Sequence, residues 1–296
     1  MSRIVRVVVV RSLSFTGTTW LNLVLGSHPR AFTLGPPDRV MNLPPDAAAD
    51  ACRVHGERCA FWTDFFRQRH ADANFFVQLA EFADRDVIVI NNPLPHGAAQ
   101  ALDHPQIETR PIHMIRDGRA IAASYRRKYP DTPFLDAVRD WLHPSYSTFD
   151  YDDADPDRLC LRYESLLADQ RAWLPRLAAH VGLDYDESAL RFWEHTHHIT
   201  AGNAGTIAMV RLHEGQTLPD SENRAFYAAQ LERLRDDPTT TFADDRWADE
   251  LSRRERFVFD HLCGDASARF GYQRDTFTLD EVDTFRRELA RADGTP

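Results

Sequence analysis

Val7-Val8-Val9-Val10-Arg11-Ser12-Leu13-Ser14-Phe15-Thr16-Gly17-Thr18-Thr19-Trp20 decides the fold. Four β-branched residues with no polar alternation are expected in a central parallel strand covered on both faces. Gly17 and the threonines around it make a tight turn. The apolar segment Trp20-Leu21-Asn22-Leu23-Val24-Leu25 then starts a helix that stops near Gly26, with Pro29 beyond. Backbone N–H groups at such a strand-to-helix corner, aided by the helix dipole and the Thr16, Thr18 and Thr19 hydroxyls, suit a phosphate. A Thr-capped helix start explains the same residues without a ligand. A Walker A loop needs Gly-Lys-Ser/Thr here, and Gly17-Thr18-Thr19 lacks the lysine that an ordinary ATPase or kinase uses.

The same alternation runs outward from this corner. Val87-Ile88-Val89-Ile90 reads as a second strand ending at Asn91-Asn92-Pro93. Pro111-Ile112-His113-Met114-Ile115 reads as a third, ending at Arg116-Asp117-Gly118 ahead of a helix over 119–128. Leu159-Cys160-Leu161-Arg162 is another, followed by a helix over 164–181 that stops at Gly182. Pro36, Pro37, Pro44 and Pro45 mark 36–49 as loop, 57–84 reads as helical, and the chain beyond 186 is mainly helical, with a long loop or lid over 217–242. Strands alternating with helices predict an α/β fold: a P-loop-like three-layer α/β/α arrangement with a mostly parallel sheet and helical cap segments. No repeat or linker divides the chain, so 1–296 is expected as one domain with 186–296 as its mainly helical C-terminal part.

Composition bounds the partners. The 296 residues are 43% hydrophobic and 27% charged, which fits a globular chain with a sizeable core and excludes a disordered or collagen-like one. The formal net charge of −10 makes the chain a poor general nucleic-acid binder, because neutralising phosphates needs a positive surface. Lys128 is the only lysine, so any lysine chemistry must use it. Cys52, Cys59, Cys160 and Cys263 include no close CxxC pair, and the Cys52 to Cys59 spacing is too wide for the usual zinc knuckle. Buried free thiols in a reducing compartment are the expectation. The apolar run Ile4 to Val10 is too short to span a bilayer and lacks a cleavage signature. A cytoplasmic protein with no membrane anchor is therefore expected.

A second corner carries chemistry of its own. Arg116 leaves a strand and Ser124 follows eight residues later, two turns into the next helix. Arg116 offers a planar fork suited to phosphate and Ser124 a hydroxyl. A strand-end arginine and a helix serine bonded to its own backbone explain the pair without a ligand.

Together the two corners resemble the sulfotransferase family. Thr16-Gly17-Thr18-Thr19-Trp20 looks like its 5′-phosphosulfate loop, and Arg116-Asp117-Gly118-Arg119 followed by Ser124 looks like its 3′-phosphate motif, Arg-Asp-Pro-Arg and a helix serine. Arg162-Tyr163-Glu164-Ser165-Leu166-Leu167, the Gly202-Asn203 stretch and the segment 247–272 ending Arg269-Phe270-Gly271-Tyr272 resemble further family stretches, in order along nearly the whole chain. The resemblance implies 3′-phosphoadenosine 5′-phosphosulfate (PAPS) as sulfuryl donor and 3′-phosphoadenosine 5′-phosphate as product. It implies no metal, and a small-molecule acceptor bearing a hydroxyl or amine. It also implies that Thr16, Gly17, Thr18 and Thr19, with Phe15 at the loop's edge, wrap the 5′-phosphosulfate. Trp20 and Tyr163 would lie at the adenine and Arg116 and Ser124 at the 3′-phosphate, while Arg211 would stand in for an arginine of the Gly-Asn stretch.

The departures fall on catalysis. The family places Lys or Arg immediately before Ser-Gly-Thr-Thr, where this chain has Phe15. Losing a donor at a developing charge costs about 3–4 kcal/mol of transition-state stabilisation. Lys128 lies past Ser124 and is expected to be distant, leaving Arg11 or Arg39 to reach in. The family's base positions correspond to Pro36 and to the neighbourhood of Asn91 and Asn92, so Asp38, His96 and an imidazole of the His195, His197, His198 group are the candidate bases. On a helix His195 and His198 would share a face, with no third metal ligand evident. The acidic flanks Glu164, Asp169, Asp184, Asp186 and Glu187 read as solvated surface. A nucleotide-binding protein without transferase chemistry and a small-metabolite kinase are the rival readings. The acceptor pocket is expected from 36–70 and 200–245, and the oligomeric state, a homodimer included, stays open.

Overall fold

In a computed structural model the chain is described over residues 3–41, 43, 51–91, 96–142, 158–219, 224–240 and 245–292. Five strands, β1 (Val5–Arg11), β2 (Ala31–Gly35), β3 (Val87–Asn91), β4 (Ile107–Ile115) and β5 (Leu159–Arg162), form one sheet in the order β2-β3-β1-β4-β5. Every pairing is parallel. Val7, Val8, Val9 and Val10 are all buried, odd and even positions alike, so both faces of β1 are covered, as the unbroken valine run predicts. The chain leaves β1 toward β2 and β3 and later returns to its other side as β4 and β5. The carboxyl end of β1 is thus the topological switch point of the sheet, where α/β folds open a crevice.

The α-helices are α1 (Thr18–Gly26), α2 (Asp38–Met41), α3 (Ala60–Gln68), α4 (Phe75–Ala83), α5 (His96–Leu102), α6 (Gly118–Lys128), α7 (Phe134–Leu142), α8 (Tyr163–Ala168), α9 (Gln170–His180), α10 (Ala204–His213), α11 (Arg224–Asp236), α12 (Trp247–Glu250), α13 (Arg253–Arg269) and α14 (Leu279–Ala292). The α/β class is as expected, and several boundaries are corrected. β2 was not anticipated: it is a short edge strand of five residues, and Thr33 and Gly35 dilute its apolar signal. β4 begins at Ile107, ahead of the expected Pro111. Proline is tolerated there because β5 joins only from Ile112 onward, and the Pro111 carbonyl instead takes a 3.0 Å hydrogen bond from His180. The helical stretch 57–84 is broken, with α4 restarting after Asn74, whose side chain accepts from the Phe76 and Val77 amides. The stretch 164–181 is broken at Asp169, which caps α9 by accepting the Ala172 N–H. The expected loop or lid over 217–242 holds α11 at its centre.

The main core lies around the sheet, and a smaller one gathers Leu13, Ile121, Val138, Trp141, Phe259 and Cys263 between α6, α7 and α13. Gly118 opens α6 against this second core. A Cβ there would lie 2.5 Å from the Phe259 ring and 2.8 Å from Trp141, so two aromatics occupy the space a side chain would need. Among the described residues no helix is long and apolar enough to cross a membrane.

Candidate functional site

β1 and β4 are neighbours, with Arg11 in register with His113. A few residues beyond this pair the two corners meet: Arg116 Nη1 donates to the Phe15 carbonyl at 2.6 Å. The Arg116 guanidinium lies 4.8 Å from the centre of the Tyr163 ring, and a Cβ on Gly17 would come within 2.7 Å of that ring. Gly17 sits at φ 83°, so both its backbone and the tyrosine behind it require glycine.

Phe15 is held at φ 66°, the left-handed region that costs a bulky residue about 1–3 kcal/mol. The Arg116 hydrogen bond on its carbonyl and an edge contact with the Tyr125 ring, 5.8 Å between centroids, fix it there. Thr16 is buried, its hydroxyl donating to the Leu13 carbonyl, and Thr18 shares a hydrogen bond with Ser12. These two hydroxyls therefore hold the loop. Gly17 supplies no side-chain cap to α1, so the first-turn amides are presented at the switch point, an arrangement suited to an anion.

The other stretches singled out by the sequence converge on the same place. Thr19 Oγ1 accepts the Asn203 N–H at 2.8 Å, and Asn203 in turn caps α10 through the Thr206 amide. Glu164, expected as solvated surface, instead takes the Asp117 N–H at 2.9 Å on one oxygen and the Tyr272 hydroxyl at 2.7 Å on the other. Burial beside Glu164 pushes the Tyr272 phenol well above its ordinary range. Arg162 stacks on Tyr272 at 4.2 Å. Glu164 and Tyr272 both lie in stretches singled out by sequence, but the bonds that join them to Asp117 could not be read there. Asp169 and Asp186, two more of the supposed surface acids, cap helices through the Ala172 and Ser188 amides.

Individual residues divide as follows. Trp20 is half-buried against the main core, and Ser124, nearly fully buried, accepts from Arg127 at 2.8 Å. Lys128 is not distant: its Nζ lies 5.7 Å from the Phe15 ring centre. Arg11 is exposed at the end of β1, and Asp38 and Arg39 are exposed on α2. His96 opens α5, and its side chain lies outside the described residues. Arg211 bonds Gln216 at 3.2 Å, eight residues and about 12 Å along α10 from its Asn203 cap, turned toward the loop around Val54. Residues 195–198 are not helical, so His195 and His198 share no helix face. His197 is buried with Nε2 on the Phe192 carbonyl. His198 meets Cys59 at 3.3 Å, and Cys52, His55, Cys59 and His198 form a cluster. In it the Cys59 thiol is held well below the ordinary thiol range by the hydrogen bond from Cys52 and by both imidazoles, while the same pairing pushes Cys52 up.

His113 sets the acid limit of this region. Burial, with the Arg11 and Arg158 charges added, lowers its imidazole to about 4. The unfolded chain titrates near 6.5, so it binds a proton that the folded chain refuses. Stability is therefore expected to fall as pH drops from about 6.5 to about 4, by roughly 3 kcal/mol from this residue. Urea unfolding across that window checks it: His113→Gln should have a flatter pH slope than the parent, and equal slopes would exclude His113 as the cause.

No family model matches the chain, and no curated protein does. Among solved structures it is similar to the sulfotransferase domain of the Synechococcus PCC 7002 olefin synthase, at 17% identity over 92% of this chain and 97% of that one, with a TM-score of 0.49. The sulfotransferase domain from the curacin biosynthetic pathway shares 16% identity over 78% of this chain and 99% of that one, with a TM-score of 0.49. Mouse sulfotransferase SULT7A1, complexed with PAP, shares 14% identity over 90% of this chain and 85% of that one, with a TM-score of 0.44. Each of these is a sulfotransferase, the family that the two corner motifs resemble.

Proposed function

We propose that this chain is a cytoplasmic transferase that moves a sulfuryl group from PAPS to a hydroxyl or amine of a small molecule. One observation carries the reading. The two corners that would hold opposite ends of a doubly phosphorylated adenosine touch each other, Arg116 on the Phe15 carbonyl and over the Tyr163 ring that backs Gly17. The donor set fits the nucleotide: amides of the first turn of α1 for one phosphate, a guanidinium and the Ser124 hydroxyl for the other, aromatic faces for the base. PAPS supplies an already activated sulfuryl group. The protein's work is to position it in line with the acceptor and to stabilise charge on the departing phosphate.

Phe15 donates nothing to that charge, and Lys128, beside its ring, is the replacement in this reading. That same phenylalanine favours a second reading, in which the nucleotide binds and no transfer follows. Calorimetric titration with 3′-phosphoadenosine 5′-phosphate, followed by PAPS turnover on a panel of phenols, alcohols and amines, separates the two. Binding with sulfation of at least one acceptor is expected. Binding with no acceptor sulfated favours the second reading, and absence of binding refutes both.

A further inference from the structure

We propose that Cys52, His55, Cys59 and His198 hold a zinc ion in a closed four-ligand site. The inference is independent of the transferase reading and rests on this cluster alone. One ligand atom from each of the four residues lies within 4.8 Å of all the others. Cys52 Sγ is 3.5 Å from His55 Nδ1, and Cys59 Sγ is 3.3 Å from His198 Nδ1. A tetrahedron with zinc–sulfur bonds near 2.3 Å and zinc–nitrogen bonds near 2.0–2.1 Å spaces its ligand atoms about 3.3–3.8 Å apart. These two pairs already stand at that spacing, and closing the widest pair, 4.8 Å at most, takes a shift of about 1 Å. Two thiols and two imidazoles are the donor set that tetrahedral zinc prefers over harder divalent ions.

The surroundings are those of a ligand site. The two cysteines are only 2% exposed, and the His55 amide donates to Cys52 Sγ at 3.3 Å. His55 turns Nδ1 toward the sulfur and gives Nε2 to Glu214 Oε1 at 3.2 Å, the carboxylate–imidazole pairing that fixes a metal-bound ring. Glu214 is itself held by Gln216 at 2.8 Å. The His198 ring lies flat on Phe61, 4.4 Å between centroids and 9° between planes. Three ligands come from one loop in a Cys-x2-His-x3-Cys pattern, and the fourth is 139 residues from Cys59, which is why spacing along the sequence hid the set.

The ion would staple this loop to the segment after residue 197. Hydrogen bonds already join them, from the Arg53 backbone N–H to the Ile199 carbonyl and from the Trp62 indole Nε1 to the His198 carbonyl, both at 2.8 Å. The same segment continues to Asn203, which bonds Thr19 in the first turn of α1. A zinc ion here therefore holds a wall of the candidate site from behind. With its Nδ1 on the metal, His198 is a ligand and not the base of a transfer reaction.

The test is the metal content of the full chain expressed with zinc in the medium, desalted and measured by plasma emission. One zinc per chain is expected. The cobalt(II)-exchanged protein should show the strong visible bands and thiolate charge-transfer band of a tetrahedral sulfur–nitrogen site. Cys59→Ser and His198→Ala should lose the ion, and Cys160→Ser should keep it. Glu214→Gln, on the protein surface and outside the ligand set, should bind zinc roughly 10- to 100-fold more weakly while remaining folded. A chain isolated without metal that takes up none on titration, a Cys52–Cys59 disulfide in the native protein, or zinc retained undiminished in Cys59→Ser would each overturn the site.

Discussion

Arg116→Ala is expected to weaken binding of 3′-phosphoadenosine 5′-phosphate by roughly 10- to 150-fold beyond any loss for the analogue bearing a 3′-hydroxyl. That factor corresponds to about 1.5–3 kcal/mol, the usual worth of a hydrogen bond to a charged group. The comparison between two nucleotides matters because Arg116 already has a structural task. It is 5% exposed and holds the Phe15 carbonyl, and so helps keep Phe15 in its left-handed conformation. Truncation should loosen the loop and cost both nucleotides something. Only the surplus loss for the 3′-phosphorylated one measures recognition of that phosphate. Arg116→Lys retains the charge without the planar fork and should fall between the parent and alanine. Calorimetric titration of both nucleotides against all three proteins reads this out. Equal losses would leave Arg116 as a loop support and remove the 3′-phosphate assignment from this corner.

What could be read from the sequence was what local chemistry dictates. The valine run, the Gly17 turn and the strand-to-corner transitions at Arg11 and Arg116 are encoded within a few residues each, and the parallel sheet follows from their alternation. β2 escaped because an edge strand of five residues with a threonine and a glycine carries little periodic signal. The break at Asp169 escaped because an aspartate that caps a helix looks, in sequence, like any surface acid. The site was legible as two corners and three later stretches, without the bonds that join them. Glu164, Tyr272 and Asp117 are joined across more than a hundred residues, and no spacing rule connects them. Lys128 was misjudged for a related reason. Counted along α6 it lies beyond Ser124, yet the φ of 66° at Phe15 accompanies a ring placed within 5.7 Å of its ammonium. The Cys52, His55, Cys59 and His198 cluster is the extreme case, one ligand being supplied from another part of the chain altogether.

The second arginine of the Arg116-Asp117-Gly118-Arg119 corner should prove to be a matter of stability, and the larger one. Arg119→Ala is expected to cost about 3–5 kcal/mol, the usual penalty for stripping the partner from a buried ion pair. Arg119 is 6% exposed. It donates to Asp117 at 2.7 and 3.0 Å and to Asp275 at 3.1 Å, and it lies 4.3 Å from the centre of the Trp247 ring. Its two carboxylates are themselves mostly buried, with 9% and 15% of their side chains exposed. Asp117 also caps α6 through the Arg119 amide, so the ion pair and the helix start share one oxygen. Asp275 gives its N–H to Asp260, whose carboxyl burial already holds above the usual range. Removing the cation therefore strips Asp117 of Arg119 in a place with little water to screen its charge, while Asp275 keeps Arg256 at 3.5 Å. Two comparisons separate this cause from lost packing. Arg119→Met keeps much of the stem's volume and should be nearly as unstable as alanine. Arg119→Met with Asp117→Asn should recover part of the loss, because the carboxylate that lost its partner is no longer charged while an amide oxygen can still cap α6. The deficit of the single variants should also narrow as pH is lowered, since protonating an unpaired carboxylate discharges it. Urea unfolding midpoints between neutral and mildly acidic pH measure all three effects. A loss under about 1 kcal/mol, or a double variant weaker than either single one, would mean that the carboxylates reach solvent and that the corner is held by packing alone.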